Sequence, residues 1–171
     1  MQYMNFANPK LIDIDFFIEC VKPLLEFEPL GRMDGFIHHG RTTRLKHSLA
    51  VAFYSYAFFR LMRIKCDEAA LVRGALLHDF FLYDWHVPDK SHRWHGYTHP
   101  RTALENAKKH FNLTKKEEDI ILKHMWPLTW RLPRCREALI VCIADKICTV
   151  FEILEFIHGY RLYTTVPALA E

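Results

Sequence analysis

The chain has 171 residues, half of them apolar, which predicts one domain with a substantial core. Its net charge of +3 is too small to indicate a nucleic-acid polymer or a membrane surface as a partner, and we expect neither. We expect a cytoplasmic protein, because the five cysteines include no CxxC pair and the N-terminus has no signal-peptide pattern. No apolar run approaches the ~20 residues of a transmembrane helix, so none is predicted. The oligomeric state stays open.

Apolar residues recur at helical spacing along most of the chain, and strand signals are weak. An early helix is predicted from Asp13 to about Phe27, with Pro23 able to kink or split it. The segment KHSLAVAFYSYAFFRLMRI has the i, i+3, i+4 pattern of one helix face. Asp67 is typical of an N-cap for the helix that follows it, EAALVRGALLHDF.

The second half of the chain carries equally clear helix signals. The helices predicted there begin at Pro100, Thr114 and about Arg134, and they end at about Phe111, Met125 and Phe156. Proline suits the first turn of a helix, and Thr114 followed by Glu117 has the spacing of a capping box. The longest irregular piece runs from Leu82 to His99, a length typical of functional loops. The C-terminal YRLYTTVPALAE is expected to be an extended tail.

Histidine is the anomaly of the composition, with 11 residues, most of them between His38 and His99. This abundance justifies a search for metal ligands. His47, His78 and His124 each have apolar residues or glycine three and four positions away, so we expect them to face the core. Asp145 interrupts the nearly all-apolar helix ALIVCIADKICTVF, where an unpaired carboxylate would be costly.

Each of these residues also has an ordinary explanation. A single core-facing histidine is more often hydrogen-bonded than metal-bound, Asp145 could pair with Arg44 or Arg73, and Asp79 could simply end a helix. Their combination favours a metal site, because imidazole and carboxylate together suit zinc, iron, manganese and similar divalent ions.

The order His47, His78–Asp79, Asp145 resembles the signature of the HD superfamily of metal-dependent phosphohydrolases. RLKHSLAVA is similar to the helix that carries the first histidine of that family, and GALLHDF is similar to its HD helix. The similarity runs from about Arg41 to Ile153. It implies an all-α fold: one compact HD-domain helical bundle over residues 1–171, with its core at about 41–153, an N-terminal helix and a C-terminal tail.

Six-ligand members of that superfamily, including the HD-GYP-type phosphodiesterases of cyclic dinucleotides, carry two further histidines. THPRTALENAKKHF matches the first at His99, which is preferred over His92 and His95 because it directly precedes the predicted helix start at Pro100, and DIILKHMW matches the second at His124. The resemblance thus implies these metal ligands: His47, His78, Asp79, His99, His124 and Asp145. It also implies two divalent transition-metal ions (Fe, Mn or Zn), with Asp79 as the bridging, catalytic residue.

The chain departs from those relatives in two ways. It reads HDFFLYD where they often read HDIGK, and it has no GYP tripeptide at the expected place. These differences argue against specificity for a cyclic dinucleotide.

The function implied by the resemblance is that of a metal-dependent phosphohydrolase, an enzyme that cleaves a small phosphoester such as a nucleotide by metal-activated hydroxide. Basic and loop residues near the ligands are the expected substrate contacts, although most could be ordinary surface groups. They are Arg44, His86, Arg93, His95, Arg101 and Lys146. We expect residues 82–99 to form one wall of the pocket; the alternative is a surface loop packed down by Trp85 and Trp94. Two other functions stay open, a di-iron oxygenase of the HD type and a catalytically silent metal-binding sensor module.

Overall fold

The computed structural model describes residues 12–90 and 93–158, and these residues form a helical bundle with one short β-hairpin, which confirms the predicted all-α class. The predicted C-terminal tail, the residues before Ile12 and the alternative ligand His92 lie outside the described residues. The helices are α1 (Ile14–Leu25), α2 (Glu28–Gly31), α3 (Arg44–Met62), α4 (Glu68–Leu77), α5 (His95–His110), α6 (Lys115–Lys123) and α7 (Arg136–His158). A 3-10 turn, Arg32–Gly35, follows α2.

Side-chain caps fix the starts of the helices where the sequence predicts them. The Asp67 carboxylate accepts a hydrogen bond from Ala70 N at 3.1 Å and opens α4. Thr114 and Glu117 form the complete capping box that opens α6. Such caps satisfy N–H groups that have no partner inside the helix, which is why these local signals can be read from the chain.

The β-hairpin was not predicted. Strands β1 (Ile37–His39) and β2 (Thr42–Thr43) pair antiparallel just before α3, and they are too short to show alternating hydrophobicity. Gly40 makes the turn with φ of +58°, and a Cβ built on it would lie 2.7 Å from Phe156 Cβ of α7. The turn therefore needs glycine both for its conformation and for its close approach to α7.

Helix α5 begins earlier than predicted, at His95 and not at Pro100. The backbone N–H groups of Tyr97 and Thr98 both donate to Trp94 O, at 2.9 and 3.1 Å, and the Thr98 hydroxyl donates to the same oxygen. This cluster of donors starts the helix, and Pro100 lies inside it. The predicted irregular segment is therefore shorter than the sequence suggested.

Helix α4 is central, because it packs against α3 and α6, while α7 packs against both of those helices. Leu71 and Leu76 of α4 are fully buried, as is Ile120 of α6. A Cβ built on Gly74 would lie 2.6 Å from Ile120 Cδ1, so glycine allows α4 and α6 to approach this closely. Within the described ranges, no helix combines the length and the apolar character needed to cross a membrane.

Candidate metal centre

The side chains predicted as metal ligands lie together, although five helices carry them. His47 is near the start of α3, whereas His78 and His124 are the C-cap residues of α4 and α6. His99 lies in α5 and Asp145 in α7. Because all of these side chains are buried, the bundle encloses a group of imidazoles and carboxylates in its interior.

The first part of this group surrounds Asp145. Its Oδ1 lies 3.1 Å from His47 Nε2 and 3.7 Å from His78 Nε2. Asp79 Oδ2 also lies 3.7 Å from His78 Nε2. Metal–ligand bonds of ~2.0–2.2 Å bring neighbouring donor atoms to about 3–3.6 Å of each other, so these atoms have nearly the spacing of ligands to one ion.

The second part surrounds the other oxygen of Asp79. Asp79 Oδ1 lies 3.3 Å from His99 Nε2 and 3.5 Å from His124 Nε2. The two imidazole nitrogens are 2.8 Å apart. One carboxylate therefore faces a set of nitrogen donors with each of its oxygens.

Backbone carbonyls fix the tautomers of three of these rings. The Nδ1 atoms donate from His78 to Ala75 O at 2.7 Å, from His99 to His95 O at 2.8 Å and from His124 to Ile121 O at 2.8 Å. Since a carbonyl oxygen can only accept, each Nδ1 carries a proton, and in the neutral ring Nε2 then carries a bare lone pair. All three lone pairs point at the carboxylates described above.

This arrangement fits divalent metal ions. In neutral rings the lone pairs of His99 Nε2 and His124 Nε2 face each other at 2.8 Å, which is unfavourable unless a cation lies beside them. His78 Nε2 and Asp79 Oδ1 are buried without a hydrogen-bond partner among the described residues, a situation that costs free energy. Bound cations would satisfy these four atoms, and imidazole with carboxylate is a donor set that zinc, iron and manganese accept.

The charge states of Asp79, Asp145 and His124 also suit metal binding. Burial raises the pKa of both aspartates, but the neighbouring histidines lower it by more, so both pKa values lie well below the ordinary range. The main contribution comes from His78 for Asp79 and from His47 for Asp145. Burial lowers the pKa of His124 to about 3, and the surrounding histidines add to this effect. Ionised carboxylates and neutral imidazoles are the forms that bind metal.

Two residues of this site were not predicted, Glu152 of α7 and His38 of β1. Glu152 Oε1 accepts from His47 Nδ1 at 2.8 Å, and its Oε2 accepts from His38 Nδ1 at 3.0 Å. A carboxylate behind a ligating histidine orients the ring and raises its basicity. Glu152 follows Asp145 by two helical turns in an apolar helix, a signal that was available, whereas the short hairpin gave His38 no periodic pattern.

These contacts explain three further pKa shifts. Burial raises the pKa of Glu152, but His47 and His38 lower it more, to about 2. Burial lowers the pKa of His47, but Glu152 and Asp145 raise it more, to about 10. Burial and the nearby His47 lower the pKa of His38 to about 4. In the protein without metal, His47 is therefore the ring that carries the extra proton between the two carboxylates.

A cleft of about 1320 Å³ opens onto Asp79, His99, His124 and Asp145. Residues of the predicted loop wall line it, among them Trp85 and Trp94. Three of the predicted substrate contacts, Arg93, His95 and Lys146, also belong to the lining. The other three, Arg44, His86 and Arg101, lie outside the lining that the described residues form.

Arg44 is buried, and its contacts favour a structural role over phosphate binding. Its guanidinium donates to Phe81 O at 2.7 Å and to Tyr83 O at 3.0 Å, and it lies over the Phe81 ring at 3.6 Å. The side chain thus ties the start of α3 to the backbone that follows the HD pair. The helical spacing from His47 correctly predicted that Arg44 faces inward. Its side chain is long, however, and carries the guanidinium to these carbonyl oxygens.

The remaining predicted contacts divide by exposure. Arg101 is exposed and pairs with Glu105 along α5. His86 is also exposed, and its Nδ1 donates to Asp84 Oδ1 at 2.9 Å. Lys146 donates to His124 O at 2.8 Å and to Cys142 O at 3.1 Å, so it also holds the end of α6 against α7.

His95 is a neighbour of the centre and not one of the converging donors. Its ring stacks on His99 at 4.4 Å and on Trp85 at 5.4 Å, and its Nδ1 lies 2.9 Å from the Tyr83 hydroxyl. His99 is the one of the two whose Nε2 approaches Asp79.

Comparison with protein families gives a match to the family described as HD domain, over residues 44–149. No curated protein and no solved structure matches the chain. The matched range contains the six converging histidines and aspartates, whereas His38 and Glu152 lie outside it.

Proposed function

This chain belongs to the HD domain family, and from that premise we propose that it is a metal-dependent phosphohydrolase that cleaves a small phosphoester. The observation that carries this proposal is the position of Asp79, whose two carboxylate oxygens each face histidine nitrogens with ligand-like spacing. Such a carboxylate suits a bridge between two ions, which stand ~3.5–4 Å apart in two-metal hydrolases. When bound, the ions would activate water and neutralise charge on phosphoryl oxygens.

The residues of the chain divide the work between holding the ions and holding the substrate. His47, His78 and Asp145 would hold one ion and His99 and His124 the other, with Asp79 shared. The ions proposed are divalent transition metals, for which iron, manganese and zinc are candidates. Burial of these ligands fixes their geometry before substrate arrives, which is what an in-line displacement requires.

The cleft supplies contacts that suit a phosphoester. Arg93 is an exposed guanidinium on the lining, well suited to a phosphate oxygen. Lys146 brings a second positive charge, 3.9 Å from Asp145 Oδ2. Trp85, Trp94 and Tyr97 line the same cleft and could stack on a planar ring. These features support a nucleotide as the substrate class.

The test begins with metal analysis of the purified protein, an absorption spectrum in the visible range, and phosphate release from a panel of nucleoside mono-, di- and triphosphates and diesters. We expect about two equivalents of metal and release of phosphate or of a phosphomonoester from part of the panel. Asp79→Asn should abolish the activity. Asp84→Asn is a matched control, because Asp84 is half-buried and accepts a hydrogen bond from His86 outside the cleft lining.

Two outcomes would contradict the proposal. Iron together with oxygen uptake, without phosphate release, would indicate the HD-type oxygenase function. Full metal loading with neither activity would indicate a metal-dependent sensor module.

A further inference from the structure

One carboxylate holds two histidine rings at the edge of the candidate metal centre. Glu152 is nearly inaccessible, with 2% of its surface exposed, and it accepts from His47 Nδ1 with one oxygen and from His38 Nδ1 with the other. Since a carboxylate can only accept, both Nδ1 atoms carry protons. The Nε2 atom at the far side of each neutral ring then carries a lone pair.

The two rings are nearly parallel. The centroids of His38 and His47 are 3.6 Å apart, with 21° between the ring planes. Because both rings turn Nδ1 towards the same carboxylate, their Nε2 atoms point in the same direction, side by side. An imidazole binds a metal along the lone pair in its own plane, so two stacked, parallel rings do not direct their lone pairs at one ion.

The surroundings of the two Nε2 atoms differ accordingly. His47 Nε2 lies 3.1 Å from Asp145 Oδ1, and its ring is completely buried. His38 Nε2 lies 3.5 Å from Asp79 Oδ2, makes no hydrogen bond to any described residue, and belongs to a ring that lines the cleft. His47 therefore faces the ligand group, and His38 faces the space immediately beside it.

We propose that His38 is a positioning residue whose Nε2 accepts a hydrogen bond from a water molecule beside Asp79, and that Glu152 sets this orientation together with that of His47. The inference rests on the proposed phosphohydrolase function, in which water is the attacking group. A hydrogen bond from the water to Nε2 directs an oxygen lone pair away from the hairpin, into the cleft where a phosphoryl group would bind. His38 and Glu152 both lie outside the range of the family match.

His38 Nε2 lies 3.5 Å from Asp79 Oδ2, a distance that a metal ligand could also have, so the metal content of variants has to distinguish this role from that of a seventh metal ligand. A ligand would be metal-bound at Nε2 and its loss would reduce metal content. A positioning residue would leave metal content unchanged and reduce turnover. The substitution His38→Phe keeps the stacked ring and removes Nε2, while His38→Gln keeps an amide oxygen that can accept a hydrogen bond. His110→Phe is the control, since His110 lies at the far end of α5 against Phe27.

The first experiment does not depend on activity. Protein labelled with ¹⁵N at histidine is loaded with Zn²⁺, and the His38 signals are assigned by their loss in His38→Gln. We expect Nδ1 protonated and Nε2 carrying neither proton nor metal. A zinc-bound Nε2 would make His38 a ligand, and a protonated Nε2 would make it a donor to Asp79; either result overturns the proposal.

The second experiment measures metal content and steady-state kinetics with whichever phosphoester of the panel the wild type cleaves. His38→Phe should retain both metal equivalents and lose roughly 100-fold in kcat, the scale expected when a reacting group is misplaced, with KM little changed. His38→Gln should recover part of that loss, and His110→Phe should match the wild type. Wild-type kcat in His38→Phe, or an equal loss in His38→Gln, overturns the positioning role.

The two experiments keep this inference separable from the proposed function. If the panel yields no activity but the ¹⁵N spectra show the unprotonated, metal-free Nε2, the phosphohydrolase function fails while the orientation of His38 by Glu152 stands. If the protein cleaves a phosphoester but the spectra show a ligated or protonated Nε2, the function stands and the inference fails. A melting temperature for each variant shows that the comparison is made between folded proteins.

Discussion

The contact between Gly74 and Ile120 offers a direct test of how packing sets the candidate site. His78 is the C-cap of helix α4 and directly precedes Asp79, and His124 is the C-cap of α6. The glycine lies one turn before the HD pair, at a point where the two helices approach closely. Gly74→Ala adds a single methyl group there and changes no ligand.

The structure gives the size of the effect. The new Cβ would lie 2.6 Å from Ile120 Cδ1, 3.1 Å from its Cβ and 3.2 Å from its Cγ2. Carbon atoms in contact prefer about 3.5–4.0 Å, so the helices must separate or Ile120 must leave its rotamer. Overpacking costs about 1–3 kcal/mol, and alanine recovers about 0.5–1 kcal/mol of helix propensity. The net loss should be about 0.5–2 kcal/mol, or about 1–8 °C in melting temperature.

The functional consequence is a wider gap between the ends of α4 and α6. Asp79 Oδ1 and His124 Nε2 are 3.5 Å apart, and separating the helices moves these atoms away from each other. We expect the metal that both would bind to be held roughly tenfold more weakly, the lower end of the range seen when supporting groups of a metal site are changed.

The assay is urea unfolding in chelator, which isolates packing, followed by competitive metal titration. Ile120→Val removes the Cδ1 atom at 2.6 Å and should cost about 0.5–1.5 kcal/mol alone. In the double variant the loss should be smaller than the sum by at least about 0.5 kcal/mol. Gly31→Ala is the control, because nothing lies within 4 Å of its added Cβ. This account of the α4–α6 contact would be refuted if Gly74→Ala were as stable as the wild type. It would also be refuted if the losses of the two single variants simply added in the double variant.

Three further outcomes are expected. Chelation should lower the melting temperature, because each ion at 100 times its Kd contributes about 2.7 kcal/mol; equal melting with and without chelator would argue against metal sites. In chelator, the free energy of unfolding should fall as the pH is lowered from 6.5 towards 4 and 3. The reason is that unfolding lets His38 and His124 take up protons that burial keeps off them in the folded protein. His47 has the opposite effect, because its charged ring is stabilised in the folded protein by two carboxylates. Its contribution to the free energy of unfolding is complete below pH 6.5 and is lost as the pH rises towards 10. Urea unfolding free energy should therefore peak near pH 6.5, with slopes up to about 1.4 kcal/mol per pH unit for each proton. Arg44→Lys removes a forked donor and should cost about 2–3 kcal/mol in the same assay, whereas exposed Arg101→Ala should cost below about 0.5 kcal/mol.

The helices were predictable because their signals are local. Asp67 and Thr114 cap the helices that follow them, and a cap needs only the backbone of the next three residues. The start of α5 was missed because it depends on three donors that converge on Trp94 O, a contact that no propensity encodes. The hairpin was missed because its strands are too short for a periodic pattern.

The candidate site shows the same division. His47 and Asp145 could be found because helical periodicity makes a polar residue on an inward face conspicuous. Glu152 met the same criterion, since it lies two turns beyond Asp145, and it could have been found. Arg44 was assigned to the correct face, but a long side chain can reach groups that the sequence does not name, and here it reaches the carbonyls of Phe81 and Tyr83.

The two C-cap histidines explain why the site forms at helix ends. His78 and His124 each donate from Nδ1 to the carbonyl three residues earlier, Ala75 O and Ile121 O, at nearly equal distances of 2.7 and 2.8 Å. The same local bond, made at the end of α4 and of α6, turns each Nε2 beyond the last turn of its helix. The carboxyl end of a helix also carries partial negative charge, which favours a nearby cation by about 0.3–1 kcal/mol. Two helix ends thus add to Asp79 and Asp145 in drawing positive charge to one place, and Gly74, by letting α4 and α6 approach, brings those two ends together.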